Sequence, residues 1–325
     1  MRLRAFVGGS AFFLITFLIT GAALAQAYPN RPVRLIVPFA SGGGSDTVGR
    51  VIAQALSTSL GQGFVVENRT GAGGAIGADA VAKSAPDGYT LLLGSTSEIV
   101  HLVNVSTKVP YDPVKDFAPV SLVGSVPMAL TVSQGVPASS VQELVKLAKA
   151  QPGKLSFGSG GTGTTTHLAV ELFAATMGIK MTHVPYKGSG AIIPDLLNGN
   201  LQLGMPLLPA ILPQVSSGKV KILAVSTAKR VPSLPNVPTL QEAGVKGYDT
   251  TLWTGILAPA GTPREIIAKL HTETVAALAK PEVRDALAKQ GAAPIPSTPA
   301  QFAAAIRTEL QTMSKLVREA GIKVE

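Results

Sequence analysis

From residue 28 onward, short apolar runs alternate with stretches whose apolar residues recur every three or four positions, a pattern that predicts βα units around mainly parallel sheets. Residues 33–39 read as the first strand, and residues 46–60 as a helix with Val48, Val51, Ile52, Ala55 and Leu56 on one face. Residues 64–67 and 90–93 read as the next two strands, separated by a glycine-rich turn at 71–77 that enters another helix. Residues 118–133 are apolar but interrupted by Gly124 and Pro127, which suits a chain crossing between lobes better than one regular strand.

The alternation then restarts. Helices at 139–150, 164–177 and 191–197 are interleaved with strands at 155–158, 182–186, 201–205 and 220–226, the last placed to cross back. Residues 252–257 supply one more strand, followed by helices at 263–279, 281–290 and 299–320 that open on Pro263, Pro281 and Pro299. Packed against the first lobe, these helices make it discontinuous. Residues 28–124 with 227–325 form one expected lobe and residues 125–226 the other, an α/β architecture in which helices flank a mainly parallel sheet in each.

Residues 1–27 do not fit this alternation. Arg2 and Arg4 precede an apolar stretch from residue 5 to residue 25, and small-residue cleavage sites end at Ala25 and Ala27, the layout of a secretory signal peptide. The expected product is an exported protein. Export argues against nicotinamide or ATP chemistry, and no cofactor is expected. With 46% hydrophobic and 14% charged residues, the chain has ample material for a core. The absence of cysteine excludes disulfides, zinc thiolates and a thiol nucleophile. The net charge of +9 is spread out, without the basic runs and stacking rings of a nucleic-acid surface.

Two stretches carry the candidate chemistry. Each expected lobe contains a strand, a turn rich in glycine, serine and threonine, and a helix start: Phe39, Ala40, Ser41, Gly42, Gly43, Gly44, Ser45 and Asp46 in the first, and Ser159, Gly160, Gly161, Thr162, Gly163, Thr164 and Thr165 in the second. Glycines let backbone N–H groups face a ligand, and the unpaired N–H groups of a helix start carry partial positive charge, so such a turn suits an anion. The hydroxyls of Ser41, Ser45, Thr162, Thr164 and Thr165 add donors, while Asp46 reads as a helix cap. Either turn alone is also compatible with a plain tight connection; a pair facing across a crevice points to a binding site.

Rival motifs fail on context. Residues 158–163 satisfy G-x-G-x-x-G, but the next strand ends without the acid a ribose needs. Neither turn ends as a P-loop does, and no G-x-S-x-G elbow or H-E-x-x-H is present. The four histidines are too scattered to define a metal site; His167, one turn into the second helix, can reach the crevice. Serine hydrolysis is allowed by the composition but not indicated.

Several longer stretches give the chain a resemblance. Residues 28–39, Gly42-Gly43-Gly44-Ser45-Asp46, residues 66–74, Pro86-Asp87-Gly88-Tyr89, residues 111–117, residues 183–188 and Pro259-Ala260-Gly261-Thr262-Pro263 are similar, in that order, to motifs of the Bug, or tripartite tricarboxylate transporter, receptors. The resemblance covers nearly the whole chain after residue 27. It implies a two-lobed periplasmic binding protein of the Venus-flytrap kind, monomeric, that closes on a small organic carboxylate and hands it to membrane permease subunits. It also implies that one carboxylate is held by backbone amides between the two turns, with a contribution from the strand end at Ser95, Thr96 and Ser97.

After the strand at 201–205, where similar receptors often carry an acid that would meet an ammonium group, this chain has Met205, Leu207 and Leu208 around two prolines. Met205 is therefore expected on an apolar pocket wall, and an aromatic or apolar-backed mono- or dicarboxylate is favoured over an amino acid. A secreted enzyme acting on carboxylates or esters, and a ligand sensor for a signalling partner, are the competing classes.

Overall fold

The computed structural model describes residues 28–320, so the expected leader at 1–27 lies outside the described residues. The first apolar run is β1 (Val33–Val37), in which Val33, Leu35, Ile36 and Val37 are all fully buried. A strand covered on both faces needs helices above and below it. One is α1 (Gly44–Leu60), which buries Val48, Ile52 and Leu56 at four-residue spacing and stops at Gly61 in the left-handed region, φ 67°. The chain continues through β2 (Phe64–Asn68), α2 (Ala75–Ala82) and β3 (Thr90–Ser95). A single π-helical turn at Ser97–His101 leads into α3 (Leu102–Val105), and β4 (Phe117–Pro127) follows.

Only Met128 separates β4 from β5 (Ala129–Ser133), which belongs to the other sheet. Next come α4 (Val141–Ala150), whose cap Ser140 accepts from the Glu143 N–H, then β6 (Ser156–Ser159), α5 (Thr165–Met177) and β7 (Thr182–Pro185). After α6 (Ile193–Asn198), β8 (Leu203–Gly204), α7 (Leu208–Ile211) and β9 (Val220–Val225), the chain returns to the first sheet as β10 (Thr251–Pro259). It ends in α8 (Arg264–Ala279), α9 (Pro281–Lys289), β11 (Ala293–Pro294) and α10 (Pro299–Ala320).

The two sheets share one plan. The first has the order β11-β4-β10-β3-β1-β2 and the second β7-β6-β8-β5-β9. In each, a strand pairs in parallel with the next two strands in sequence (β1 with β2 and β3, β6 with β7 and β8), and one strand, β10 or β5, runs antiparallel to its neighbours. Apart from β11, the order β4-β10-β3-β1-β2 is repeated as β9-β5-β8-β6-β7, so β1 and β6 hold equivalent central places. Both faces of the first sheet are covered: Leu35, Leu91 and Leu93 pack with α1, and Ile36, Leu92 and Leu257 with Phe302 and Ile306 of α10.

The crossing region differs from the sequence expectation in detail. β4 passes through Gly124 and persists to Pro127 because its partner β10 slips register between Thr254 and Gly255, which absorbs the irregularity as a bulge. The two crossings are tied together: Met128 N–H donates to the Ser226 Oγ at 3.0 Å, and Ser226 N–H donates to the Met128 carbonyl at 3.0 Å. Residues 227–250, placed by sequence with the first lobe, lean on the second. Gln142 of α4 donates to the Ala243 carbonyl at 2.6 Å and Tyr248 donates to the Ala169 carbonyl of α5 at 2.8 Å. Among the described residues no helix is long and apolar enough to cross a membrane.

Candidate functional site

The equivalent strands β1 and β6 each deliver the chain into a helix start, and these two turns face one another. In the first, Asp46 is the third residue of α1 rather than its cap, because the helix begins at Gly44, two residues before the start at residue 46 expected from the sequence. Its carboxylate accepts from the Gly42 N–H and from Arg50 Nε, each at 2.9 Å, and from Asn68 Nδ2 at 2.9 Å. Burial alone would raise its pKa, but the hydrogen bonds from Arg50, Asn68 and Gly42 and the Arg50 charge hold it below the usual carboxylate range. The Ser41 hydroxyl joins the same network at 3.4 Å. Asp46 and Ser41 therefore build the turn.

The opening turn of α1 is different. The N–H groups of Gly44, Ser45 and Asp46 make no hydrogen bond among the described residues, as expected for a helix start without a side-chain cap. The Ser45 side chain is 2% exposed and its Oγ has no partner. A buried hydroxyl left unpaired costs about 1–3 kcal/mol, so a native orphan calls for an explanation.

The second turn satisfies most of its own donors. Gly160 N–H donates to Thr166 Oγ1 at 2.8 Å, Gly161 N–H to Ser159 Oγ at 3.1 Å, and Gly163 N–H to His167 Nδ1 at 3.1 Å. The Thr164 hydroxyl donates to the Gly161 carbonyl at 2.7 Å. His167 accepts through Nδ1, and burial, then the neighbouring His183, pushes its pKa down to about 4, so it is neutral at pH 7. Its ring stacks on that of His183 at 3.9 Å between centroids. His183 in turn lies 2.6 Å from Ser159 Oγ. Ser159 is fully buried, and among the described residues no carboxylate hydrogen-bonds His183, so the pair lacks the orienting acid of a serine–histidine–acid triad.

Between the turns lies a nearly closed pocket of about 10 Å³, room for about one water. Phe39, Gly43, Gly44 and Ser45 line it from the first turn and Ser97 from the π-helical turn after β3. Gly160, Thr164, Thr166, Ser189 and Leu207 close it from the other side, with Leu252 at the start of β10. No charged side chain lines it. The lobes are in contact around it: the Ala40 N–H donates to the Lys187 carbonyl at 3.1 Å, and a Cβ placed on Gly190 would lie 2.9 Å from the Gly43 nitrogen. A wider hollow of about 490 Å³ between Pro127, Val231 and Arg284 adjoins neither helix start, whereas another, lined by Ser41, Gly42 and Gly190, opens beside the first turn.

Of the residues singled out by sequence, Phe39, Gly44, Ser45, Gly160 and Thr164 line this pocket. Ala40, Ser41, Asp46, Ser159, Gly161 and His167 shape the turns instead, and Thr165 binds Ser97 across the lobes. Thr162 is exposed. Ser95 is fully buried, giving its N–H and its hydroxyl to the Glu98 carboxylate, and Thr96 Oγ1 accepts from the Trp253 N–H. Burial pushes Glu98 up to about 8. Met205 departs most from its expected place. It is fully buried in the core, where the Tyr248 hydroxyl contacts its sulfur at 3.3 Å, and Leu207, two residues on, faces the pocket. Ser189 and Leu252 were not anticipated. The glycines flanking Ser189 were a usable signal, whereas Leu252 arrives only through the return crossing and has no local signature. Among the described residues no cluster of metal-ligating side chains exists.

The sequence matches, over residues 48–322, the family described as tripartite tricarboxylate transporter family receptor. It is 40% identical over 325 residues to the protein BugT of Bordetella pertussis, covering 100% of this chain and 99% of that one. A Rhodopseudomonas palustris protein solved with adipate superposes with a TM-score of 0.88 at 40% identity, covering 91% of this chain and 99% of the other. MatC from Rhodopseudomonas palustris, solved with bound malate, gives 0.85 at 33% identity, with 89% and 100% covered.

Proposed function

The chain belongs to the tripartite tricarboxylate transporter receptor family, periplasmic receptors for carboxylates, and from that premise we propose that it binds a small organic carboxylate between its two lobes and delivers it to membrane permease subunits. The observation that carries this reading is the orphan Ser45 hydroxyl at the open first turn of α1, buried in a pocket with no charged side chain. An arriving carboxylate accepts from Ser45 Oγ and from the free N–H groups of Gly44 and Ser45, and the dipole of α1 adds to their attraction. Gly160, Thr164 and Thr166 meet the same ligand from the second lobe, so binding and closure stabilise one another. Phe39 forms part of the wall.

In this reading residues 1–27 direct export and are removed near Ala25 or Ala27, the mature protein works as a monomer in the periplasm, and the ligand leaves chemically unchanged. The adipate and malate held by two relatives support the carboxylate class. A thermal-shift screen of mono-, di-, tri- and aromatic carboxylates tests it, because a ligand that binds only the folded state raises the melting temperature. A stabilising carboxylate recovered unaltered after incubation is expected. Turnover of that compound, or stabilisation by none of them, refutes the proposal.

A further inference from the structure

Away from the carboxylate pocket, we infer that the hollow of about 490 Å³ beside the two crossings is a second binding site, for a small molecule with one anionic group on an apolar body, and that its ligand favours the closed lobes. The hollow has the size of a ligand site, roughly 300–1,000 Å³. Pro127 and Thr227 line it, the immediate neighbours of Met128 and Ser226, which tie the crossings together. Its walls come from both lobes. Ser125 of β4, Arg284 and Ala288 of α9 and Gly291 stand on the first-lobe side, with Val231 and Ser233 opposite. Val231 is buried in one apolar cluster with Leu208 and Ile211 of α7, so this second wall belongs with the second lobe. Gly291 marks where the two sides meet: a Cβ built there would lie 2.6 Å from Leu208 Cδ2 and 3.4 Å from Ser233 Oγ. Leu208 directly follows Leu207 of the carboxylate pocket.

The chemistry of the walls selects the ligand. Arg284 is exposed and has no ion pair or hydrogen bond among the described residues, so its guanidinium is available to an anion. Ser233 Oγ is buried without a partner, an orphan donor that a bound oxygen would satisfy. Pro127, Val231, Ala288 and Ala292 supply an apolar surface for the rest of the molecule. Asp285 shares the wall with Arg284, which suits a single negative charge better than several. Opening the lobes would draw Val231 and Ser233 away from α9, so a ligand touching both walls binds the closed arrangement better, and closure by one ligand strengthens the other.

Fluorescence titration of the full mature protein with anilinonaphthalene sulfonate tests the site, alongside phenylnaphthylamine, which has the same rings without the charge. The sulfonate is expected to bind at least about fivefold more tightly than the amine. Arg284→Gln is expected to weaken sulfonate binding at least about fivefold, and Ala288→Trp, which fills the hollow from an exposed helix position, to abolish it. Melting curves check that each variant folds, and Arg284→Gln decides alone if Ala288→Trp does not. No binding of the sulfonate, or binding that the folded variants leave unchanged, overturns the site, and equal binding of the amine overturns its preference for an anion. The coupling rests on the carboxylate reading: saturating sulfonate is expected to raise affinity for a stabilising carboxylate at least about threefold in the wild type and not in Ala288→Trp. An unchanged or lowered carboxylate affinity overturns the coupling. Neither residue lines the carboxylate pocket, so failure of every carboxylate to bind would refute that reading while the sulfonate titration still decides the hollow.

Discussion

The hydroxyls of Ser97 and Thr165 lie 3.0 Å apart across the two lobes, and the Thr165 N–H donates to the same Ser97 oxygen at 3.0 Å. Ser97 sits in the π-helical turn after β3 and Thr165 is the first residue of α5, so this pair joins the two sheets directly at the rim of the pocket. Both groups are buried in the contact. The pair exists only while the lobes are closed.

Replacing Ser97 by alanine leaves the Thr165 N–H unpaired in the closed form and able to reach water in the open one. Closure is expected to weaken by about 1–3 kcal/mol, which lowers carboxylate affinity roughly tenfold. Small-angle scattering should show a larger radius of gyration for the ligand-free variant than for the wild type. An unchanged radius together with unchanged affinity would mean that the pair does not hold the lobes.

Ser45→Ala separates stability from binding. Removing a buried hydroxyl that has no partner relieves a desolvation cost, so the ligand-free protein is expected to gain up to about 1 kcal/mol against denaturant. Carboxylate binding loses a charge-assisted hydrogen bond and is expected to weaken about tenfold. Opposite signs for the two measurements identify Ser45 as a ligand group. Loss of stability in the ligand-free variant would show that its hydroxyl is part of the scaffold.

Much of the architecture was readable because strands and helices here bury strongly periodic apolar faces, as in the α1 stripe of Val48, Ile52 and Leu56. The helix start at Gly44 was less visible. Glycine and serine are weak helix formers, and only the geometry of the turn recruits Gly44 and Ser45 into the first turn. That two-residue shift turned Asp46 from an expected cap into an internal brace for Gly42 and Arg50. The choice between Met205 and Leu207 was not local at all: three apolar residues around Pro206 look alike until the Tyr248 hydroxyl, brought by the return crossing, claims the methionine. The pairing of Ser159 with His183 likewise depends on β6 lying beside β7 in parallel, which no spacing in the chain announces.

Glu98 gives the protein a defined pH response. It is fully buried, and burial raises its folded pKa to about 8 from an ordinary 4.5. Between those values the folded state keeps a proton that the unfolded chain has released. Stability from this group is therefore complete below about pH 4.5 and is lost as pH rises through about 8. Glu98→Gln cannot ionise, so its denaturation midpoint should change less between pH 6 and pH 9 than that of the wild type. At pH 9 the variant should be the more stable by on the order of a few kcal/mol. Parallel pH profiles for the two proteins would show that Glu98 is not protonated in the native state.

Gly44 tests closure from the other side of the pocket. A Cβ built there would lie 2.5 Å from Leu207 Cβ and 2.9 Å from its Cδ1, and outside its own stretch of helix its three nearest atoms all belong to Leu207. Gly44→Ala is thus compatible with its own lobe, where alanine favours a helix over glycine by up to about 1 kcal/mol. The obstruction arises only when the second lobe docks. The expected result is undiminished stability of the ligand-free protein with carboxylate affinity reduced at least about tenfold, because the open form is retained while the closed form is opposed. Leu207→Gly removes every atom that the added methyl would strike, so the double variant should bind better than the two single losses predict. A double-mutant cycle of calorimetric affinities measures that coupling. Simple additivity would mean that Gly44 and Leu207 do not meet in the ligand-bound protein.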